Sequence, residues 1–336
     1  MITKLKFAVL VITLLGFQAV RADWVRVNTN TFAWFRDVYF QDESRGWIVG
    51  SDGMMLSTED GGKTWVQNRK FTTDTLLQVH FTNQSTGWLL CERNPFMREN
   101  RATSYLRKTV DGGRTWERLE FLDGGRERVT RLLFNRDGTA TAFGEAGVFY
   151  RLQEDGITWK RTQTAIHFLL LDGSFANESI GAIVGTGGTI LFTEDSGLTW
   201  ERSTVLGDDD ARLNSVFFTS PKNAVAVGTK GRIFRATGGG RLWRQQDSGT
   251  QLNLNDVYFS SPNNGWAVGE EGIVIRTRDG GVTWTDVESH VTHKLEKIVF
   301  AGERGWAVGY GGTLITYDPN ITASAPGFKP ILQKRN

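Results

Sequence analysis

Cysteine is nearly absent: Cys91 is the single one in 336 residues. No internal disulfide can form, so stability must come from a core alone. A lone cysteine without a partner motif reads as a small apolar residue rather than a nucleophile. Proline is scarce, six residues against 39 glycines. A long apolar run is missing too. The longest, residues 7–20, has 14 residues, short of the roughly 20 a helix needs to cross a bilayer. With Lys4 and Lys6 before it and Val20-Arg21-Ala22 after it, residues 1–22 read as an export signal. No cysteine stands near the cut, so no lipid anchor is expected there.

A charge of one sign is also lacking. The chain is +2 overall, but Lys4, Lys6 and Arg21 leave with the signal and no acid does, giving 36 basic against 37 acidic residues. That balance removes nucleic acid as an expected partner. Four histidines are too few and too scattered for a metal cluster. His290 and His293 fall in a loop-like stretch, and Asp208 to Asp210 lack calcium-loop spacing. No cofactor motif appears, because "GTGGT" and "GGG" open strands rather than helices.

Aromatics and glycine are abundant: twelve Trp and 21 Phe with 39 Gly, a mix suited to short strands and tight turns. The stretch "STEDGGKTW" ending at Trp65 returns as "TVDGGRTW" (Trp116), "TEDSGLTW" (Trp200) and "TRDGGVTW" (Trp284). Decayed copies end at Trp159 and Trp243. Counting Trp24, the spacings are 41, 51, 43, 41, 43 and 41 residues. A second marker runs in phase: Phe40, Phe81, Phe134, Phe175, Phe218, Phe259 and Phe300 each end an apolar run. A third, of the "GWAVG" type, begins at Gly46, Gly87, Gly181, Gly265 and Gly305.

One unit therefore holds four strands, A to D, in about 42 residues, the pattern of a β-propeller blade. The chain is expected to be all-β, a seven-bladed propeller over residues 23–318 with a flexible tail over 319–336. The seventh unit meets Asp318-Pro319 before a fourth strand. "WVRVNT", starting at Trp24, stands one repeat before Trp65 and should supply that strand, closing the ring. The acids Asp60, Asp111, Asp195 and Asp279 read as turn residues accepting backbone amides. Trp65, Trp116, Trp200 and Trp284 read as buried anchors. His80, Tyr39, Tyr150 and Tyr258 are expected in or between blades.

This phased set resembles the Asp-box, or bacterial neuraminidase, repeat. Within that group it resembles the photosystem II stability and assembly factor family over about residues 24–318. The resemblance implies a non-enzymatic, exported scaffold that binds newly made reaction-centre protein through an arginine-rich surface. That site would lie in the thylakoid lumen of a phototroph, or in the periplasm or outside the cell otherwise. The implied partner is a membrane-protein assembly intermediate or another exported protein, and the chain would be a monomer. The chain departs from bacterial members that carry a lipid-attachment cysteine. Sialidases share Asp boxes, so a glycoside hydrolase is the alternative, and an adhesive or structural propeller is another. The "RIP" motif that a sialidase would bring is absent.

The partner face follows from strand parity: B–C loops and D-to-A connections share one face, and the Asp boxes lie on the other. Unit 2 is longest, with "ERNPFMRENRATS" inserted between strands B and C. It carries Arg93, Arg98 and Arg101, and the next connection carries Arg126 and Arg128. From Arg93 to Arg136 there are 11 basic and six acidic residues. These five arginines are the candidate partner-binding residues, since Arg suits bidentate carboxylate contacts.

Overall fold

A computed structural model describes residues 22–96, 102–122, 125–162, 164–207, 210–322 and 332–334. Seven sheets form a closed ring. In blade 1 the strands are Phe35–Phe40, Gly46–Gly50, Met55–Thr58 and Trp65–Gln67, paired antiparallel in that order. The A strands of the next five blades are Thr75–Phe81, Val129–Phe134, Leu170–Phe175, Leu213–Phe218 and Leu254–Phe259. In blade 7 the strands are Leu295–Ala301, Arg304–Gly309 and Leu314–Thr322, with Ala22–Val27 as the fourth. Consecutive A strands touch around the circle, so they line the ring's centre.

The phased residues explain one another. In five blades the B strand carries a glycine opposite the phased phenylalanine of strand A, because that ring lies across it; blades 3 and 5 carry Ala140 and Ala224 there. A Cβ on Gly46 would stand 2.7 Å from the Phe40 ring, and one on Gly265 2.6 Å from Phe259. The D-strand tryptophan meets the same phenylalanine edge-on: Phe40–Trp65 at 5.9 Å, Phe134–Trp159 at 6.1 Å, Phe259–Trp284 at 6.1 Å. The B-strand tryptophan stacks on the phenylalanine of the next blade. Trp47 lies 4.1 Å from Phe81, Trp266 4.2 Å from Phe300, and Trp306 3.9 Å from Phe40. One marker set thus builds both the sheet and the contact between sheets, and the offset geometry favours such aromatic pairs.

The closure is formed as the spacing indicated. Trp24 pairs with Tyr317 and Val27 with Leu314. Trp24 is fully buried and stands edge-on to Phe300 at 6.1 Å, the role Trp65 plays in blade 1. The C-terminal boundary differs from expectation. The last strand runs through Pro319 to Thr322, and residues 332–334 pair in parallel outside Trp65–Gln67. Pro319 is accommodated because the ladder is irregular there: paired positions jump from Tyr317 to Thr322, so the missing N–H costs no ladder bond.

Loop hydrogen bonds separate two faces. The B–C turns bond to D–A connections, as Gly53 N to Asp74 O at 2.8 Å and Gly312 N to Ala33 O at 2.7 Å. The Asp-box turns bond to A–B turns, as Gly61 N to Ser44 O at 2.8 Å and Gly280 N to Asn263 O at 3.1 Å. No helix among the described residues is long and apolar enough to cross a membrane.

Candidate functional site

The Asp boxes occupy the face away from the ring's long loops. In blade 1 the Thr58 hydroxyl donates to Asp60 Oδ1 at 2.8 Å and accepts Gly62 N at 2.9 Å. Asp60 Oδ1 accepts Thr64 N at 2.9 Å, and Oδ2 accepts the Thr64 hydroxyl at 2.6 Å. Asp111, Asp195 and Asp279 repeat the arrangement with Thr115, Thr199 and Thr283. Gly61 and Gly62 have φ of 70° and 73°, which only glycine adopts without strain. The hydroxyl and amide of Thr115, with the Thr109 hydroxyl, hold Asp111 well below the usual carboxylate range. At Asp279, partial desolvation is outweighed by Thr283 and the carboxyl falls to about 2. These acids are committed to their own turns. Trp65 and Trp284 are buried beneath them, whereas Trp116 and Trp200 are half-buried.

A second repeated feature went unread in the sequence. The residue three before each phased phenylalanine is polar in every blade: Asp37, Gln78, Arg131, Asp172, Ser215, Asp256 and Lys297. All seven A strands carry a register shift just before this position, a bulge that re-aims the side chain. The side chains form a belt inside the ring. Asp37 accepts Val79 N of the next blade at 3.0 Å, Gln78 accepts Leu132 N at 2.7 Å, and Asp256 accepts Ile298 N at 2.8 Å. Arg131 donates to Asp172 at 2.7 Å and lies 3.9 Å from Asp37. The Ser215 hydroxyl sits 2.7 Å from both Asp172 and Asp256, and Lys297 lies 2.8 Å from Asp256.

The belt holds three carboxylates against two cations, so one negative charge is in excess. Burial pushes Asp37 up to about 6, against the pull of Arg131 and Lys297. Burial acts on Asp172 too, yet Arg131, bonded to it directly, keeps its carboxyl below the usual range. His80 stacks on Phe134 at 4.5 Å, and burial together with Arg131 lowers it to about 4. Tyr39 and Tyr258 donate across blades to Phe81 O and Phe300 O at 2.8 and 3.0 Å. The signal was available: in every A strand a polar residue stands three positions before the phased phenylalanine.

Above the belt, on the face of the B–C and D–A loops, the ring encloses a cavity of about 340 Å³. The sequence candidates surround it unequally. Arg93 is 5% exposed; it chelates Glu120 at 2.6 and 2.7 Å and lies 4.7 Å over the Tyr105 ring. It holds the base of the inserted hairpin. Arg98 and Arg101 lie outside the described residues. Arg126 is exposed on the connection, while Arg128 lines the cavity, 3.7 Å from Glu92 and 3.4 Å from Glu145. Strand parity and the cavity's lining therefore bring Arg126 and Arg128 to one face and make Arg93 part of its support. Among the described residues, no group of three or more His, Cys, Asp or Glu side chains is placed to hold a metal ion.

A family model described as "Photosynthesis system II assembly factor YCF48" matches residues 17–82, 151–252 and 240–319, more than half of the chain. The photosystem II assembly lipoprotein Ycf48 of Synechococcus sp. (strain CC9902) is 27% identical over 205 residues, 59% of this chain and 55% of that protein. The chain thus spans about half the length of that relative. A solved structure, YCF48 bound to D1 peptide, matches with a TM-score of 0.71 at 21% identity, covering 90% of this chain and 99% of that one. Virginiamycin B lyase from Staphylococcus aureus reaches the same TM-score at 11% identity, over 88% of this chain and 98% of that one. The structural likenesses show the fold; a lyase and an assembly factor share it.

Proposed function

We propose a scaffold function on one premise: this chain belongs to the family of the photosynthesis system II assembly factor YCF48. It is a non-enzymatic, exported, monomeric protein that holds a membrane-protein intermediate, with a reaction-centre precursor such as D1 as the partner its relatives indicate. The observation that carries this reading is the family match, which takes in the closing strand, blade 1 and blades 4 to 7 and leaves residues 83–150 unmatched. The site supports it. The repeated acids on one face are absorbed by turns, and the three carboxylates of the belt are each engaged by an amide, a cation or a hydroxyl. Neither set offers a free acid and base flanking a common space, as hydrolysis of a glycoside requires.

Residues 1–22 act as the export signal in this reading. The partner docks on the loop face, where exposed Arg126 and half-buried Arg128 present guanidinium groups to acidic surface. The test is affinity capture from solubilised native membranes with the wild-type protein and with Arg126→Glu. A reaction-centre precursor should be enriched by the first and depleted with the second. Capture of no membrane protein, or release of label from a fluorogenic sialoside, would overturn the scaffold reading.

A further inference from the structure

The cavity lies at the ring's centre. Its floor is the polar belt, where Arg131 is bonded to Asp172 and Lys297 to Asp256. Its wall is made by the ends of the D–A connections and the first residues of the A strands. On that wall stand four cations, Arg36, Arg128, Arg212 and Lys294, against one carboxylate, Glu296. Arg36 and Lys294 share Glu296 at 3.6 and 3.2 Å, and the same carboxylate also accepts Trp34 Nε1 at 2.7 Å. Arg212 is exposed, and its Nε donates only to the neutral Asn214 amide at 3.0 Å. Arg128 has two acids near it, yet its Nε is buried without a hydrogen bond. Arg128 is thus offset by Glu92 and Glu145, whereas Arg36 and Lys294 share one carboxylate and Arg212 is paired only with a neutral amide, so that side of the wall is cationic beyond its own acids.

The lip beside these cations is aromatic. Phe32 is 94% exposed and Tyr310 52%; Tyr310 stands edge-on to Trp34 at 5.6 Å, and the Arg36 guanidinium covers the Trp34 ring at 4.3 Å. Exposed aromatics next to a cation-rich cup suit a ligand that is charged at its tip and apolar beside it. The volume lies at the small end of binding cavities, enough for one or two side chains rather than a folded element.

We propose that this cup receives an Asp or Glu side chain from an acidic segment of a bound protein, with the segment's apolar neighbours lying on Phe32 and Tyr310. The inference rests on the protein-binding reading above and adds the partner's chemistry. Arg212 of blade 5 and the Arg36–Lys294 pair of blades 1 and 7 meet the carboxylate from different sides of the ring.

The probe is a fluorescein-labelled, N-acetylated and C-amidated hexapeptide of alternating Glu and Phe, with a Gln-for-Glu analogue as its control. Fluorescence anisotropy should show the Gln analogue binding at least about tenfold more weakly. Arg212→Gln combined with Lys294→Gln should weaken the Glu peptide to a similar degree, and Arg212→Lys should restore much of it. Lys63→Gln, on the opposite Asp-box face, should leave the affinity within about twofold. Added salt should loosen the wild-type complex. Equal binding of the two peptides, no binding by the wild type, or a double variant that binds normally would each overturn the proposal. In the membrane capture described above, a double variant that still retrieves the same partner sinks the cup and leaves the scaffold standing. A wild type that retrieves nothing sinks the scaffold itself.

Discussion

Asp37 shows how a single side chain can be structural and still titrate in a useful range. It caps Val79 N of the neighbouring blade and is buried, but the nearer guanidinium belongs to Asp172. Its folded pKa of about 6 lies above the ordinary 3.9 of an unfolded aspartate. The folded state therefore binds the extra proton between pH 4 and 6. This group's contribution to stability is full below about pH 4 and is lost as pH rises through 6. Asp37→Asn keeps an acceptor for Val79 N and removes the charge. It should raise the melting temperature at pH 7.5, relative to wild type, more than at pH 5. A difference that stays constant across that range, measured by thermal melts, would mean Asp37 is not the titrating group. Arg93 teaches the opposite lesson: an arginine in a loop-like sequence can be buried and committed to an ion pair, here with Glu120, 27 residues away.

At the scale of the element, the recurrent pairing is a phenylalanine near the end of strand A over a glycine at the start of strand B, replaced by alanine only in blades 3 and 5. In blade 1 the Phe40 ring has no freedom to retreat, because Trp306 stacks on it at 3.9 Å and Trp65 meets its edge at 5.9 Å. Gly46 has no left-handed φ; it is glycine for space alone. Gly46→Ala should then cost about 1–3 kcal/mol as an overpacking change. Chemical denaturation should show a lower midpoint with an unchanged slope. An unaltered midpoint would mean the ring can move after all. The A-strand bulge is the other recurrent device, and it turns one residue per blade toward the centre without breaking the sheet.

For the whole molecule, the decisive contact joins residues almost 300 apart in sequence. Ala22–Val27 supplies the outer strand of blade 7, and Trp306 of that blade stacks on Phe40 of blade 1. Trp24→Ala removes a fully buried ring at the seam and should cost roughly 3–5 kcal/mol. Deleting residues 22–27 should lower the melting temperature further, since it also bares the edge of Leu314–Thr322. A truncated protein that melts like the full chain would show that the seam does not hold the ring. Charge is likewise a property of the whole. The sequence is close to neutral, yet the ring concentrates cations from blades 1, 3, 5 and 7 around one cavity.

The sequence alone determined the blade count, the order of strands and the closing segment. Trp, Phe and Gly markers recur at fixed offsets because each is dictated by contacts inside one blade or between adjacent ones. It also separated the two faces, since strand parity needs no coordinates. The belt, the cup and the true partner of Arg93 were decided by the tertiary structure. They join residues one to six repeats apart, and their chemistry depends on which charges meet at the axis, which no local spacing can specify.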